Sequence, residues 1–231
     1  MIRALVLAAS LVAASATAAP PTQMSLVYDL YRDGHKLGQV TDTFSMTGNR
    51  YTLVSEARAT GPLKALWPGK IRLESAGEVT PAGLRPARFQ HARSDAPNKL
   101  ATARFDWSAR RIAYQYKGES WQVDGLQANA QDQLSQLYQF MFVSRLPARV
   151  DQQVTSGRKV KDYHYARRDG GRVKVPAGEF ATQVYRRVRT DKDDKDVTVW
   201  VAPTRDNLPV QIRVIEDGVT LEQRLVRYTK G

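Results

Sequence analysis

Apolar and polar residues alternate with a two-residue period along most of this 231-residue chain, the mark of strands that bury one face. Segments 25–32 and 36–44 flank Asp33-Gly34, a pair in which both residues tolerate positive φ, which predicts a hairpin. Gly48-Asn49 then turns the chain into 51–57, completing a three-stranded meander. Two prolines and two glycines in 61–69 exclude a long regular element and leave room for one helical turn bearing Leu63, Leu66 and Trp67. Strand periodicity resumes at 71–79, 87–93, 102–107, 112–117 and 120–123.

One segment breaks the period. In 131–142 the apolar positions Leu134, Leu137, Tyr138, Met141 and Phe142 follow helical spacing, and Pro147 closes the segment. Strands return at 159–167, 172–175, 180–190, 197–202, 210–216 and 220–228. Their turns fall at Asp169-Gly170-Gly171, Pro176-Ala177-Gly178, 191–196, 203–207 and Asp217-Gly218, and Pro209 stands at a strand start. No flexible linker and no repeat divides the chain. About a dozen strands cannot stay in one flat sheet without curling or splitting. The expected fold is therefore mainly β: a single large, strongly curved antiparallel sheet, open-barrel or spiral-like, wrapped around one α-helix.

The first nineteen residues stand apart. Arg3, an apolar run over 4–14 and Ala16-Thr17-Ala18 form an export signal with a peptidase site. A run of about a dozen residues is too short for a bilayer core. The expectation is a cleaved signal peptide over 1–19 and one β-rich domain over 20–231, soluble in the periplasm. Cysteine is absent, which rules out disulfides and an acylated-cysteine anchor. There are 35 Lys and Arg against 23 Asp and Glu, a formal net charge of +12, of which only Arg3 lies in the leader. Such a charge suits an anionic envelope component or lipid headgroup; export argues against nucleic acid.

The residues of catalysis are not assembled in any recognisable motif. His35, His91 and His164 lie in separate segments without metal-ligand spacing, and neither a Gly-x-Ser-x-Gly elbow nor a glycine-rich phosphate loop occurs. Asp132 or Asn129 suits the cap of the helix. Asp191, Asp193, Asp194 and Asp196, interleaved with Lys192 and Lys195, read as a solvated hairpin tip rather than a calcium loop. Basic residues gather at Arg104, Arg110-Arg111, Arg145, Arg149, Arg158-Lys159, Lys161, Arg167-Arg168 and Arg186-Arg187-Arg189. Alternation points Arg187 and Arg189 together, with Arg186 opposed. The row reads first as the polar outer face of the sheet, and as a phosphate-binding stripe second. Trp107, Tyr114, Tyr116, Trp121, Tyr163, Tyr165, Tyr185 and Trp200 supply a concave lining, read as core before pocket.

Several short motifs in order, Pro86-Ala87-Arg88-Phe89-Gln90, Ala103-Arg104-Phe105-Asp106-Trp107, Gln131-Asp132-Gln133-Leu134-Ser135, Val175-Pro176-Ala177-Gly178-Glu179-Phe180 and Val199-Trp200-Val201-Ala202-Pro203 with Asn207-Leu208-Pro209-Val210, resemble the bacterial family of domain of unknown function 3108. The likeness spans about 24–228. It implies an exported, mostly β protein of Gram-negative bacteria, with no known activity and no functional residues to carry over. No catalytic, cofactor-binding or metal-binding residue is assigned, no cofactor is expected, and the ligand-binding residues and protein partner are unknown. The expected function is a non-enzymatic cell-envelope protein that binds a lipidic ligand in its concave face or an envelope partner. A structural or assembly factor acting through sheet edges is the alternative. A hydrolase of envelope polymer is a third reading, and it needs two carboxylates held roughly 5–10 Å apart in a cleft.

Overall fold

The computed structural model describes residues 21–66, 68–143, 145–188 and 195–231. Residues 1–20, on which the expected signal peptide falls, Trp67, Ser144 and positions 189–194, with most of the acidic hairpin tip, lie outside the described residues.

Fifteen strands form one sheet. The first arm comprises β1 (Gln23–Arg32), β2 (His35–Thr47), β3 (Arg50–Ala59), β4 (Lys70–Thr80), β5 (Gly83–Arg93), β6 (Ala101–Asp106), β7 (Arg111–Tyr116) and β8 (Glu119–Asp124). A four-residue turn of helix, α1 (Leu63–Leu66), joins β3 to β4. The second arm comprises β9 (Gln131–Asp132), β10 (Arg149–Thr155), β11 (Val160–Val175), β12 (Gly178–Val188), β13 (Asp196–Ala202), β14 (Leu208–Glu216) and β15 (Val219–Lys230). Each strand pairs with its sequence neighbour, except that β1 pairs with β15 and β8 and β9 end the sheet on opposite sides. All pairings are antiparallel save the short parallel one of β9 with β10.

The sheet curls without closing its ladder. Gln131 of β9 donates through Nε2 to the Leu84 carbonyl of β5 at 2.7 Å, and Thr155 of β10 donates to the Tyr114 hydroxyl of β7 at 3.0 Å. Strands far apart in sheet order thus meet across a seam.

Between β9 and β10 the chain enters the concavity. Helix α2 is only Ser135–Tyr138, followed by a 3-10 turn over Gln139–Phe142. This shortens the helix expected over 131–142, because Gln131 and Asp132 spend their backbone groups on pairing with Val154 and Thr155. The expected burial holds: Leu134, Tyr138, Met141 and Phe142 are buried, and Leu137 packs against both apolar clusters of the interior. The larger cluster joins β1–β7 to β14 and β15 through residues such as Tyr28, Phe44, Leu53, Phe89 and Ile112. The smaller sets Phe140 against Tyr185, Val199 and Ile212.

Two further differences from the sequence expectation have physical causes. Asp169-Gly170-Gly171 is a bulge within a single strand, β11, and not a turn. Gly171 takes φ +61°, and a Cβ on Gly170 would stand 2.4 Å from Thr182 Oγ1, so both positions demand glycine. Strand β10 was not expected, because its inward-facing Gln152 interrupts the apolar alternation around Val150 and Val154.

Candidate functional site

Among the described residues three acids are buried: Asp29, which pairs with Lys36 at 2.8 Å, and the more deeply enclosed Asp42 and Asp132, 2 % and 0 % exposed. Asp42 occupies an inward position of β2 between Val40 and Phe44. Tyr138 donates to its Oδ2, and the Tyr28 hydroxyl, within 3.3 Å of Tyr138, donates to the Pro209 carbonyl at 2.8 Å. Burial pushes the Asp42 carboxyl up to about 6, against the hydrogen bonding it accepts. It keeps the Tyr28 and Tyr138 phenols protonated as well.

Asp132 opens α2. Its Oδ1 accepts from the amides of Leu134 and Ser135 at 2.9 and 2.8 Å, while its own amide donates to Ser135 Oγ at 3.0 Å. Asp132 thus takes up free amides as expected, but it caps the turn leading into α2 from β9, the N-cap position itself being Leu134. The other carboxylate oxygen accepts from Ser75 Oγ at 2.6 Å, and Ser75 lies 2.9 Å from the Tyr51 hydroxyl. Burial again raises the carboxyl to about 6, here against four hydrogen bonds. Asn129 instead donates to the Asp151 carbonyl of β10. Neither Asp42 nor Asp132 lines any of the three cavities along the seam and outer face.

The aromatic residues of the concave face are core as expected, except Tyr116, which is half-buried with Arg158 and Lys117 over its ring. Tyr114, Tyr163, Tyr165 and Tyr185 are buried, and Trp107, Trp121 and Trp200 pack on the core from its margin. The inserted segment fills the space they enclose.

Cavities lie instead along the seam, at successive stretches of β10. One, of about 190 Å³, is lined by His91, Gln133, Ser156, Arg158, Lys159, Lys161, Tyr163, Arg187, Lys195 and Glu216. Part of the basic row therefore converges. Arg187 faces inward and is 3 % exposed, its guanidinium 3.5 Å above the Tyr163 ring and bonded to the Lys195 carbonyl at 3.1 Å. That placement corrects the reading of the row as wholly outer surface. Arg186 does point outward, paired with Asp196 at 2.7 Å, as alternation requires. Arg104, Arg149 and Arg168 are exposed. Burial and the nearby charges of Arg158, Arg93 and Lys195 lower the His91 pKa.

The second cavity is a groove of about 790 Å³ between the β4–β5 turn, the β8–β9 connection and the start of β10. A third hollow, of about 740 Å³, lies on the outer face beside Glu56, where hydrogen bonds from Lys70, Arg58 and Arg72 hold the carboxyl at about 2. The three histidines do not meet: His35 is exposed on β2, His91 lines the basic cavity, and His164 pairs with Asp151 at 2.7 Å. Among the described residues no three potential ligands gather for a metal, and no helix is long and apolar enough to cross a membrane.

Comparison with known proteins agrees with this architecture. The model of a family described as a protein of unknown function (DUF3108) matches residues 27–224, and the chain belongs to that family. A β-barrel-like protein of domain of unknown function DUF1849 from Brucella abortus superposes with a TM-score of 0.55 at 10% identity, covering 92% of this chain and 99% of that one. It shares the fold. A DUF1329 family protein from Desulfovibrio piger covers 91% of this chain and 86% of its own at 10% identity, but its TM-score of 0.22 supports no structural argument. No curated protein matches the chain.

Sequence reasoning missed Asp42, Gln131 and Gln152. Asp42 had a readable signal, since it alternates in phase with Val40 and Phe44. The glutamines had none, because their setting depends on contacts across the seam.

Proposed function

We propose that this is an exported, non-catalytic binding protein of the cell envelope that takes a phosphate-type anion in the basic cavity at the seam. The observation that carries this reading is the convergence of Arg158, Lys159 and Lys195 around about 190 Å³, with Lys161 and Arg187, each engaged in further contacts, beside them and Glu216 paired to Lys195 at 2.7 Å. The enclosure of Asp42 and Asp132 favours a non-catalytic role, since a glycosidase-type hydrolase needs its two carboxylates open to substrate. The filled concavity favours a headgroup ligand over an enclosed acyl chain.

The test combines localisation and binding. Intact mass of protein from a periplasmic fraction should match a chain beginning near residue 19 or 20. Inorganic phosphate in a calorimetric titration, and phosphatidylglycerol against phosphatidylcholine vesicles in sedimentation, should separate a free anion from a lipid headgroup. Arg158→Ala with Lys159→Ala should weaken either about tenfold at low salt, and the difference from the unsubstituted protein should shrink as salt rises. Failure of both probes to bind at low ionic strength would rule the reading out.

An assembly role through a sheet edge ranks second. Strand β8 pairs only with β7, yet it is six residues long with Glu119 and Asp124 at its ends, features that protect an edge. A photocrosslinker at Gln122 that captures no neighbour in cells would remove this reading.

A further inference from the structure

The groove at the start of β10 carries an unusual hydrogen-bonding floor. Gln131 and Gln152, 5 % and 3 % exposed, both line it. Gln131 spends Nε2 on the Leu84 carbonyl, and its buried Oε1 has no partner among the described residues. Gln152 accepts through Oε1 from Gln139 Nε2, and its buried Nε2 has no partner among the described residues. The Gln131 orientation follows from its bond to the Leu84 carbonyl, while Gln152 and Gln139 are oriented as a pair, one amide donating and the other accepting. Beneath the floor of one groove thus lie an acceptor and a donor that the described residues do not complete, and burying amide atoms in that condition is costly.

The surroundings restrict what could complete them. Trp107 and Arg85 form the wall, the guanidinium 4.6 Å above the indole and the indole nitrogen bonded to the Pro86 carbonyl at 2.9 Å. Asn129 and Arg110 stand at the rim. The carboxylate of the groove, Asp151, is held by His164 at 2.7 Å. An acyl chain offers nothing to either amide. A single anion suits the donor and repels the acceptor. A hydroxyl both donates and accepts, so a run of neighbouring hydroxyls serves both amides and leaves others for Arg85 and Asn129. The groove volume, about 790 Å³, lies in the range of small-molecule sites and accommodates a short oligosaccharide.

We propose that the groove lined by Gln131, Gln152, Arg85 and Trp107 binds a neutral glycan segment. This is independent of the anion reading, since the two cavities share no lining residue. The test is calorimetric titration of the 20–231 protein with β1,4-linked N-acetylglucosamine tetramer, maltotetraose and cellotetraose. At least one should bind, and Gln152→Met should weaken it tenfold or more. Arg85→Ala, at an exposed position, should weaken the same ligand several-fold. Arg158→Ala, in the other cavity, should leave it unchanged. Absence of binding by all three sugars, or binding that survives both Gln152→Met and Arg85→Ala in folded protein, overturns the proposal.

Discussion

The interior cap at Asp132 and the groove floor at Gln131 are adjacent in sequence, yet the chain treats them oppositely. Asp132 has both oxygens engaged by Leu134, Ser135 and Ser75 and is closed off from solvent. Gln131, one residue earlier, has one amide atom bonded and the other presented, without a protein partner among the described residues, to a groove. Because successive side chains of a strand point to opposite sides, β9 divides the two environments at a single peptide bond. A buried polar group that the chain completes holds the fold. One left incomplete beside an accessible cavity points to something outside the chain.

The largest expected effect that sharpens this contrast is with pH. The Asp42 and Asp132 carboxyls rise in the folded protein from about 3.8 to about 6. Their contribution to stability is fully present below the unfolded value and is lost as pH rises through about 6. The span is on the order of 3 kcal/mol for each group. Glu56, held at about 2, acts with the opposite sign, losing its contribution as pH falls below 4.5 towards 2. Thermal unfolding should therefore be later at pH 4.5 than at pH 7, and Asp42→Asn with Asp132→Asn should flatten the difference. An unchanged slope in that double variant would mean that the interior carboxyls are not the source.

A smaller effect comes from breaking the cap outright. Asp132→Ala strips the acceptor from Ser75 and from two α2 amides, all buried, and should cost about 2 kcal/mol when measured by urea unfolding near pH 4.5, where the carboxyl is neutral. Little or no loss would place Asp132 outside the machinery that seats α2. The smallest effect is expected across the dividing peptide. Gln152→Met removes an incompletely bonded amide and should change stability by less than about 1 kcal/mol in the same assay. A loss as large as that of Asp132→Ala would make the groove floor structural and erase the contrast.

Much of the fold was legible because it is local. The Asp33-Gly34 hairpin, the meander and the Asp217-Gly218 turn connect neighbouring strands, and alternation gives their faces directly. The helical stripe over 131–142 named four buried residues correctly, placed the half-buried Leu137 among them, missed buried Phe140 and overstated the helix. Burial periodicity survives when one α-turn passes into a 3-10 turn, and the backbone bonds of Gln131 and Asp132 depend on β10, some twenty residues on. The basic row was visible as composition, but only β12 lying against β11 shows that Arg187 turns in to meet Tyr163.

By itself the sequence determined a curved antiparallel meander, its inward faces, its family and the capping role of Asp132, because each depends on residue order within a few positions. The tertiary structure alone decided that the concavity is filled, that β9 pairs in parallel with β10, and that basic residues and glutamines from distant strands meet at the seam. Those outcomes depend on how far a fifteen-stranded sheet curls, a sum of small twists and bulges that no short window of sequence contains.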